Sequence, residues 1–262
     1  MIHIGTSGYH FLDWVGTLYP PELAKEQWLA YYAQRFNTVE INSTYYGLPK
    51  IETVARWTSE TPAGFRFIVK LHKDSTHGRI TDGAEIGELL RVLEPMRQES
   101  KLFGLLAQFP ASFRANDAAK GYIKKIRQEI GEIPFFVEFR HRSWDHDSSV
   151  TFCREEKIGW VAVDLPPIRS LMQARPAVTA AAGYVRFHGR NVKTWYTPEA
   201  GDRYDWDYPD SELKEWVPRL KAMTGLAEDT YLFFNNCHAG QAIKSAALMR
   251  EILRNEQLEV SR

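Results

Sequence analysis

The chain has 262 residues, of which 44% are hydrophobic and 25% charged, and its 33 Lys and Arg balance 33 Asp and Glu. That apolar share supports a packed core and excludes disordered, collagen-like and coiled-coil classes. Zero formal charge argues against a surface that coats polyphosphate non-specifically, while leaving room for a local basic cleft.

The first residues, MIHIGTSGYH, lack the basic start and apolar run of a signal peptide. Apolar runs such as Phe135–Phe139 are too short and too interrupted by charge to span a bilayer. A soluble, cytoplasmic protein with no membrane partner is expected. Cys153 and Cys237 are too few for a disulfide framework and lack zinc-knuckle spacing, so both read as reduced thiols.

Along the chain, β-rich runs alternate with amphipathic stretches. Ile2–Thr6 reads as a strand, Pro21–Phe36 as a helix, then Thr38–Ile41 and Glu52–Glu60, Arg66–Val69 and Ala84–Gln98, Leu102–Gln108 and Asp117–Ile130. Phe135–Phe139 is followed by Ser149–Lys157, Trp160–Val163 by a short helix around Arg169–Gln173, Tyr184–His188 by Ser211–Met223, and Tyr231–Phe234 by Gly240–Asn255. Asp82 with Glu85 fits a capping box, Asn116 an N-cap, and Gly131, Gly159 and Gly225 helix stops. Pro218 predicts a kink in the helix that contains it.

Eight strands each followed by a helical or loop crossover predict an α/β fold: a single TIM-type (β/α)8 barrel spanning 1–262, with one outer helix reduced or replaced by loop between Asp164 and Tyr184. Such barrels typically take about 250 residues, and nothing linker-like divides the chain. The competing open doubly wound sheet lacks its fingerprint, because Gly5-Thr-Ser-Gly8 does not give G-x-G-x-x-G. No cofactor is expected.

Strand residues alternate faces, and both faces of a parallel barrel are apolar by default. Glu40 and Asn42 break that default on one parity of the second strand, Glu138 and Arg140 on the fifth, and Arg186, His188 and Arg190 at the end of the seventh. Lys70, Gln108, Asp164, Asn235 and Asn236 hold comparable strand-end positions, where barrel active sites form. The expected pocket sets Lys70, Arg140, Arg186 and Arg190 against Glu40, Glu138 and Asp164, four cations to three carboxylates.

The segments GTSGYHFLDWVGTLYP (5–20), FNTVEINSTYYGLP (36–49), GLLAQFPASF (104–113), EFRHRSW (138–144), YVRFHGR (184–190) and FFNNCHAG (233–240) resemble those of the domain-of-unknown-function 72 family, the YecE-like proteins. Thr76-His77, within the looser match KDSTHGRIT, resembles that family's Thr-His pair. The resemblance runs end to end and implies a TIM-type barrel; the family's activity is unassigned, so it implies no reaction.

Candidate roles follow from chemistry. Glu40 and Glu138 are candidate acid and base, with Lys70 and Asp164 completing a catalytic set, or else the carboxylates simply neutralise arginines. Arg186, His188 and Arg190, with Arg140 and His141, are candidate anion ligands or members of internal salt bridges. Asn42, Gln108, Asn235 and Asn236 offer amides, and a helix start after the eighth strand is a common phosphate seat. Tyr45, Trp144 and Trp195 lead a set of loop aromatics, with Tyr9, Trp14, Tyr46 and Tyr196, that could stack a sugar or base. The loop Asn191–Pro209 is long enough for a lid.

A divalent metal at His188, His238, Glu138 and Asp164 is a weaker alternative, since Arg186 and Arg190 flank His188 and would oppose a second positive centre. Cys237 as a nucleophile lacks an identifiable base. Two function classes stay open: an enzyme acting on a phosphorylated or otherwise anionic sugar-like or nucleic-acid-derived substrate, such as a hydrolase, lyase or isomerase, and a non-catalytic module binding single-stranded nucleic acid or a phosphorylated metabolite.

Overall fold

In a computed structural model that describes residues 1–80, 83–197 and 202–261, eight parallel strands run β1 (Ile2–Thr6), β2 (Thr38–Ile41), β3 (Arg66–Lys70), β4 (Leu102–Gln108), β5 (Phe135–Glu138), β6 (Gly159–Asp164), β7 (Ala182–Phe187) and β8 (Asp229–Phe234). Each strand pairs with its sequence neighbours and β1 with β8, in the order β1-β8-β7-β6-β5-β4-β3-β2. A bridge between Ser7 and Glu40 and the bond from Gly8 N to Glu40 O (2.8 Å) bring β1 back to β2, closing the TIM-type barrel. Tyr32 stitches the rest of that seam: its hydroxyl accepts from Thr6 N at 3.0 Å and donates to Thr38 O at 3.1 Å.

The register shows which parity faces inward. His3, Tyr231 and Tyr184 are partners across β1, β8 and β7, and so are Gly5, Phe233 and Arg186 one step higher. Rings fill the amino-terminal half of the interior: His3 stacks on Tyr231 at 4.7 Å, Phe103 meets Tyr231 at 4.3 Å, and Tyr184 contacts Phe136 and Phe233 at 5.1 and 5.3 Å. Phe136 fits because its neighbours are Gly104 and Gly159, where an added Cβ would come within 2.8 and 2.2 Å of its ring. Each such ring pair is worth roughly 0.5–1.5 kcal/mol beyond its burial. The aromatic plug closes the barrel from below, so polar side chains one register step higher face the carboxyl end.

The helices are α1 (Trp28–Tyr32), α2 (Ile51–Ser59), α3 (Ala84–Val92), α4 (Glu94–Gln98), α5 (Asp117–Ile130), α6 (Asp147–Glu155), α7 (Asp210–Lys214), α8 (Val217–Thr224) and α9 (Gln241–Asn255). Asn116 caps α5 by accepting from Ala119 N at 2.8 Å, and Gly131 ends it at φ 68°. Pro218 does interrupt its helix, which restarts as α8 with the proline in its first turn; Pro95 divides Ala84–Gln98 in the same way. The expected helix Pro21–Phe36 contracts to a 3-10 turn at Lys25–Gln27 followed by α1, its first residues forming turns after two prolines. Gly159 does not stop a helix but opens β6. Asp82 lies outside the described residues.

No helix forms around Arg169–Gln173. That stretch lies along the segment after β5 instead, with Arg142 N donating to Ser170 O and Met172 N to Arg140 O, both at 3.0 Å, and Leu171 bridged to His141. Pro166 and Pro167 precede it and bias the chain toward extended backbone. The outer helix between β6 and β7 is thus replaced by loop, and that loop braces Arg140 and His141.

Candidate active site at the carboxyl ends of the strands

One ionic cluster crowns the aromatic plug. Glu40 from β2 and Glu138 from β5 are fully buried, and Arg186 from β7 bridges them, donating from Nη2 to Glu40 Oε1 at 2.6 Å and from Nη1 to Glu138 Oε2 at 2.5 Å. Glu40 also accepts from Asn42 Nδ2 at 3.0 Å and from the Tyr184 hydroxyl. Glu138 accepts from Arg140 Nε and lies 3.1 Å from His188 Nε2. Burial alone would raise the Glu138 pKa, but Arg140 and Arg186 overcome it and hold the carboxyl well below the usual range. Burial first, then the carboxylates, drives the Tyr184 hydroxyl well up, so it remains a donor.

His188 is held neutral, its pKa lowered to about 3 by burial and then by Arg140. A neutral ring fits its bonds, with Nε2–H donating to Glu138 while Nδ1 accepts from Asn235 Nδ2 at 3.0 Å. Glu40 and Glu138 are therefore enclosed and ion-paired.

Above the cluster opens a cleft of two joined lobes, about 450 and 510 Å³. Tyr45, Tyr46, Lys70, Gln108, Arg140 and Tyr204 line both. Asn42, Arg186 and Asn235 face the first lobe; Trp195 and Tyr196, with His77 and Arg203, face the second. Lys70 Nζ donates to Gln108 Oε1 at 3.0 Å and sits 4.3 Å above the Tyr45 ring, and among the described residues no carboxylate comes within ion-pair distance of it. Burial, then repulsion from Arg186, lowers its pKa to about 7. His77 stays neutral, its pKa lowered to about 4 by burial and then by Lys70. It stands edge-on to Tyr45 in a π-helical turn at Asp74–Gly78. Asn42 Oδ1 is buried and finds no hydrogen-bond partner among the described residues.

Asp164 and Arg190 do not join this cluster. Asp164 is in register with Phe187, whose ring packs on Tyr208 and Trp216, so both face the helical layer. There Asp164 accepts from Arg190 Nη2, the Tyr208 hydroxyl and Trp216 Nε1, each at 2.7 Å, and Arg190 also reaches Glu215 at 3.0 Å. Asp164 faces out because it is Val163 that shares the parity of Arg186, and Arg190 because Gly189 turns the backbone at φ 88°, ending the alternation that keeps Arg186 and His188 inside. Removing this pair leaves Lys70, Arg140 and Arg186 against Glu40 and Glu138, still one cation in excess.

Other expected residues divide similarly. Asn236 is fully buried on the helical side, donating to Trp206 O at 2.9 Å and Ser245 Oγ at 3.0 Å. His141 faces away from the cleft and accepts from Ser143 N at 3.1 Å, capping a 3-10 turn. Trp144 is buried, stacked on Phe139 at 4.0 Å with Nε1 on Phe113 O, so it presents no face to a ligand. Trp14 is likewise fully buried, and Tyr9 lines a separate small pocket with His10 and Arg56. The expected phosphate seat before α9 holds a protein anion, since Ala239 N donates to Asp13 Oδ2 at 2.6 Å.

Burial and then Glu40 push the Cys237 thiol up, unlike an activated nucleophile. With Asp164 on the far side, among the described residues no three His, Cys, Asp or Glu side chains gather to hold a metal ion. In the long loop, residues 198–201 lie outside the described residues. Sequence reasoning missed Ser7, Phe11, Asp13, Tyr184, Arg203 and Tyr204. Tyr184 was findable, standing two residues before Arg186 on the same parity; Arg203 and Tyr204 carry no periodic signal.

A family model described as "Protein of unknown function DUF72" matches residues 3–262. UPF0759 protein YunF of Bacillus subtilis is 31% identical, covering 97% of this chain and 95% of that protein. The crystal structure of a DUF72 family protein from Thermotoga maritima superposes with a TM-score of 0.89 at 36% identity, over 97% of this chain and 99% of that one. A DUF72 family protein from Enterococcus faecalis gives 0.87 at 27% identity, over 97% and 96%.

Proposed function

The chain belongs to the DUF72 family of proteins of unknown function, and from that premise we propose that it is a barrel enzyme acting on a small anionic, ring-bearing molecule such as a phosphorylated sugar or nucleotide fragment. The observation that carries the reading is a cation in an aromatic-lined cleft for which, among the described residues, no carboxylate stands within ion-pair distance: Lys70, beside Arg140, which Glu138 holds through Nε, which has Nη2 against His188, and which lines both lobes. Arg140 and Lys70 would hold the anion, with Tyr45 and Trp195 flanking its ring. Glu40 and Glu138 would fix Arg186 and Arg140 rather than exchange protons themselves.

Lys70 then becomes the proton-moving group, since a pKa near 7 lets it give and take a proton at neutral pH. A purely binding cleft gains most from a lysine that stays charged, and this favours the enzyme over a non-catalytic module. Titration calorimetry with sugar phosphates and nucleoside monophosphates, against their neutral parents, tests the reading. Anionic compounds should bind, weaken as salt rises, and lose about ten-fold or more in affinity in Arg140→Ala, as expected for a charged hydrogen bond. Neutral parents binding as tightly would refute the anion site. Anion binding without turnover of any bound compound would leave the module.

A further inference from the structure

Lys70 offers chemistry that charge recognition does not use. Its amine stands where the two lobes meet, within reach of a ligand in either. One contact orients it: Gln108 presents Oε1 at 3.0 Å while its own Nε2 is tied to Phe109 O at 3.0 Å. The Tyr45 ring covers one side at 4.3 Å. We propose that the ligand of this cleft is an anionic aldehyde or ketone and that Lys70 Nζ condenses with its carbonyl carbon to form an imine. This deepens the anion-binding reading and rests on it.

The step balances without a further reagent. The free amine adds to the carbonyl carbon, forming the C–N bond as the C=O π pair moves to oxygen and is protonated. The nitrogen lone pair then closes a C=N bond while that oxygen leaves as water. Overall, an ammonium and a carbonyl give an iminium and water. A lysine suits this role when desolvation and neighbouring cations keep a large fraction of it unprotonated. Lys70 meets that condition, with its pKa lowered to about 7 by burial and then by Arg186.

The groups facing the amine are Arg186 from β7, Glu138 from β5 and Arg140 just after it, Glu40 from β2, Tyr45 after β2, His77 after β3 and Gln108 on β4. His77 is neutral above about 4, and Arg186, its pKa raised by Glu138 and Glu40 against burial, keeps its charge, so a rise in condensation through pH 7 belongs to Lys70.

Pyridoxal 5′-phosphate, which joins an aldehyde, a phosphate and a ring, is the probe. The full chain is treated with it and borohydride and mapped by peptide mass spectrometry, with pyridoxine 5′-phosphate, the alcohol, as the binding control. The expected result is reduced adduct on Lys70 at about ten-fold or more the level on any other lysine, rising through pH 7 and falling when inorganic phosphate competes. An amine with a pKa near 7 is mostly free at pH 7.5, against roughly one part in a thousand for an ordinary lysine. Lys70→Met should lose the adduct. If the alcohol binds but Lys70 is labelled no more than surface lysines, imine formation is refuted and the anion site stands. If neither ester binds, both fall.

Discussion

Replacing Arg186 with methionine tests the core of the site, because it removes the charge and spares most of the aliphatic stem. Arg186 is fully buried and donates to Glu40 at 2.6 Å and to Glu138 at 2.5 Å. After its loss Glu138 keeps Arg140 and His188, but Glu40 is left with two neutral donors, Asn42 and Tyr184. Removing one partner of a buried pair costs about 3–5 kcal/mol, a large part of the 5–15 kcal/mol that usually separates folded from unfolded chains. Urea unfolding at pH 7.5 should show that deficit.

The deficit should narrow toward pH 5. In the parent, the depressed Glu138 pKa contributes stability present above the unfolded value of about 4.3 and lost only as pH falls through the folded one, so this window leaves it intact. In the variant, burial without the guanidinium raises the folded-state carboxyl pKa, and proton uptake then favours the folded state as pH falls. Adding Glu40→Gln should restore more than half of the loss, since the buried charge goes with its partner. A loss under about 1 kcal/mol at pH 7.5, or a deficit that grows on acidification, would refute a dry, paired cluster.

Lys70→Met should stabilise the protein at pH 7 and below, by on the order of 1–3 kcal/mol after allowing for partial exposure. The lysine pKa falls from 10.5 unfolded to about 7 folded, so its cost is full below 7 and fades as pH rises toward 10.5; urea midpoints across that range check it, and a variant no more stable at pH 7 than at pH 10 would contradict it. Asp164→Asn should cost about 2–4 kcal/mol in urea unfolding, since Arg190 loses its buried carboxylate partner. Its anion affinity should be unchanged; a drop in affinity at constant stability would return Asp164 to the cleft.

Strand identity was readable because it rests on short-range pattern: all eight runs appear within two residues of their expected starts and ends. The inward parity of Glu40, Glu138, Arg186 and His188 was readable for the same reason. What the chain did not show is where counting by twos stops. Gly189 ends it between His188 and Arg190, and the adjacent Asn235 and Asn236 must point to opposite sides, one to the cleft and one to α9. Loop aromatics carry no period at all. Trp144 and Trp195 look alike in sequence, yet Trp144 is taken up by Phe139 and Phe113 while Trp195 lines the second lobe.

The expected charge excess nevertheless survived the loss of two of its seven contributors, and the reason is physical. A charge turned toward the apolar helical layer is stable there only with its counter-charge, so residues leaving the pocket leave as neutral pairs, as Asp164 and Arg190 do. Four cations against three carboxylates become three against two. The excess therefore depends less on listing every pocket residue than on a cation at the junction of the two lobes for which, among the described residues, no carboxylate stands within ion-pair distance. That cation is Lys70, whose lowered pKa is what an uncompensated, half-enclosed ammonium should show. An anionic ligand entering the cleft would supply the counter-charge that these residues leave out.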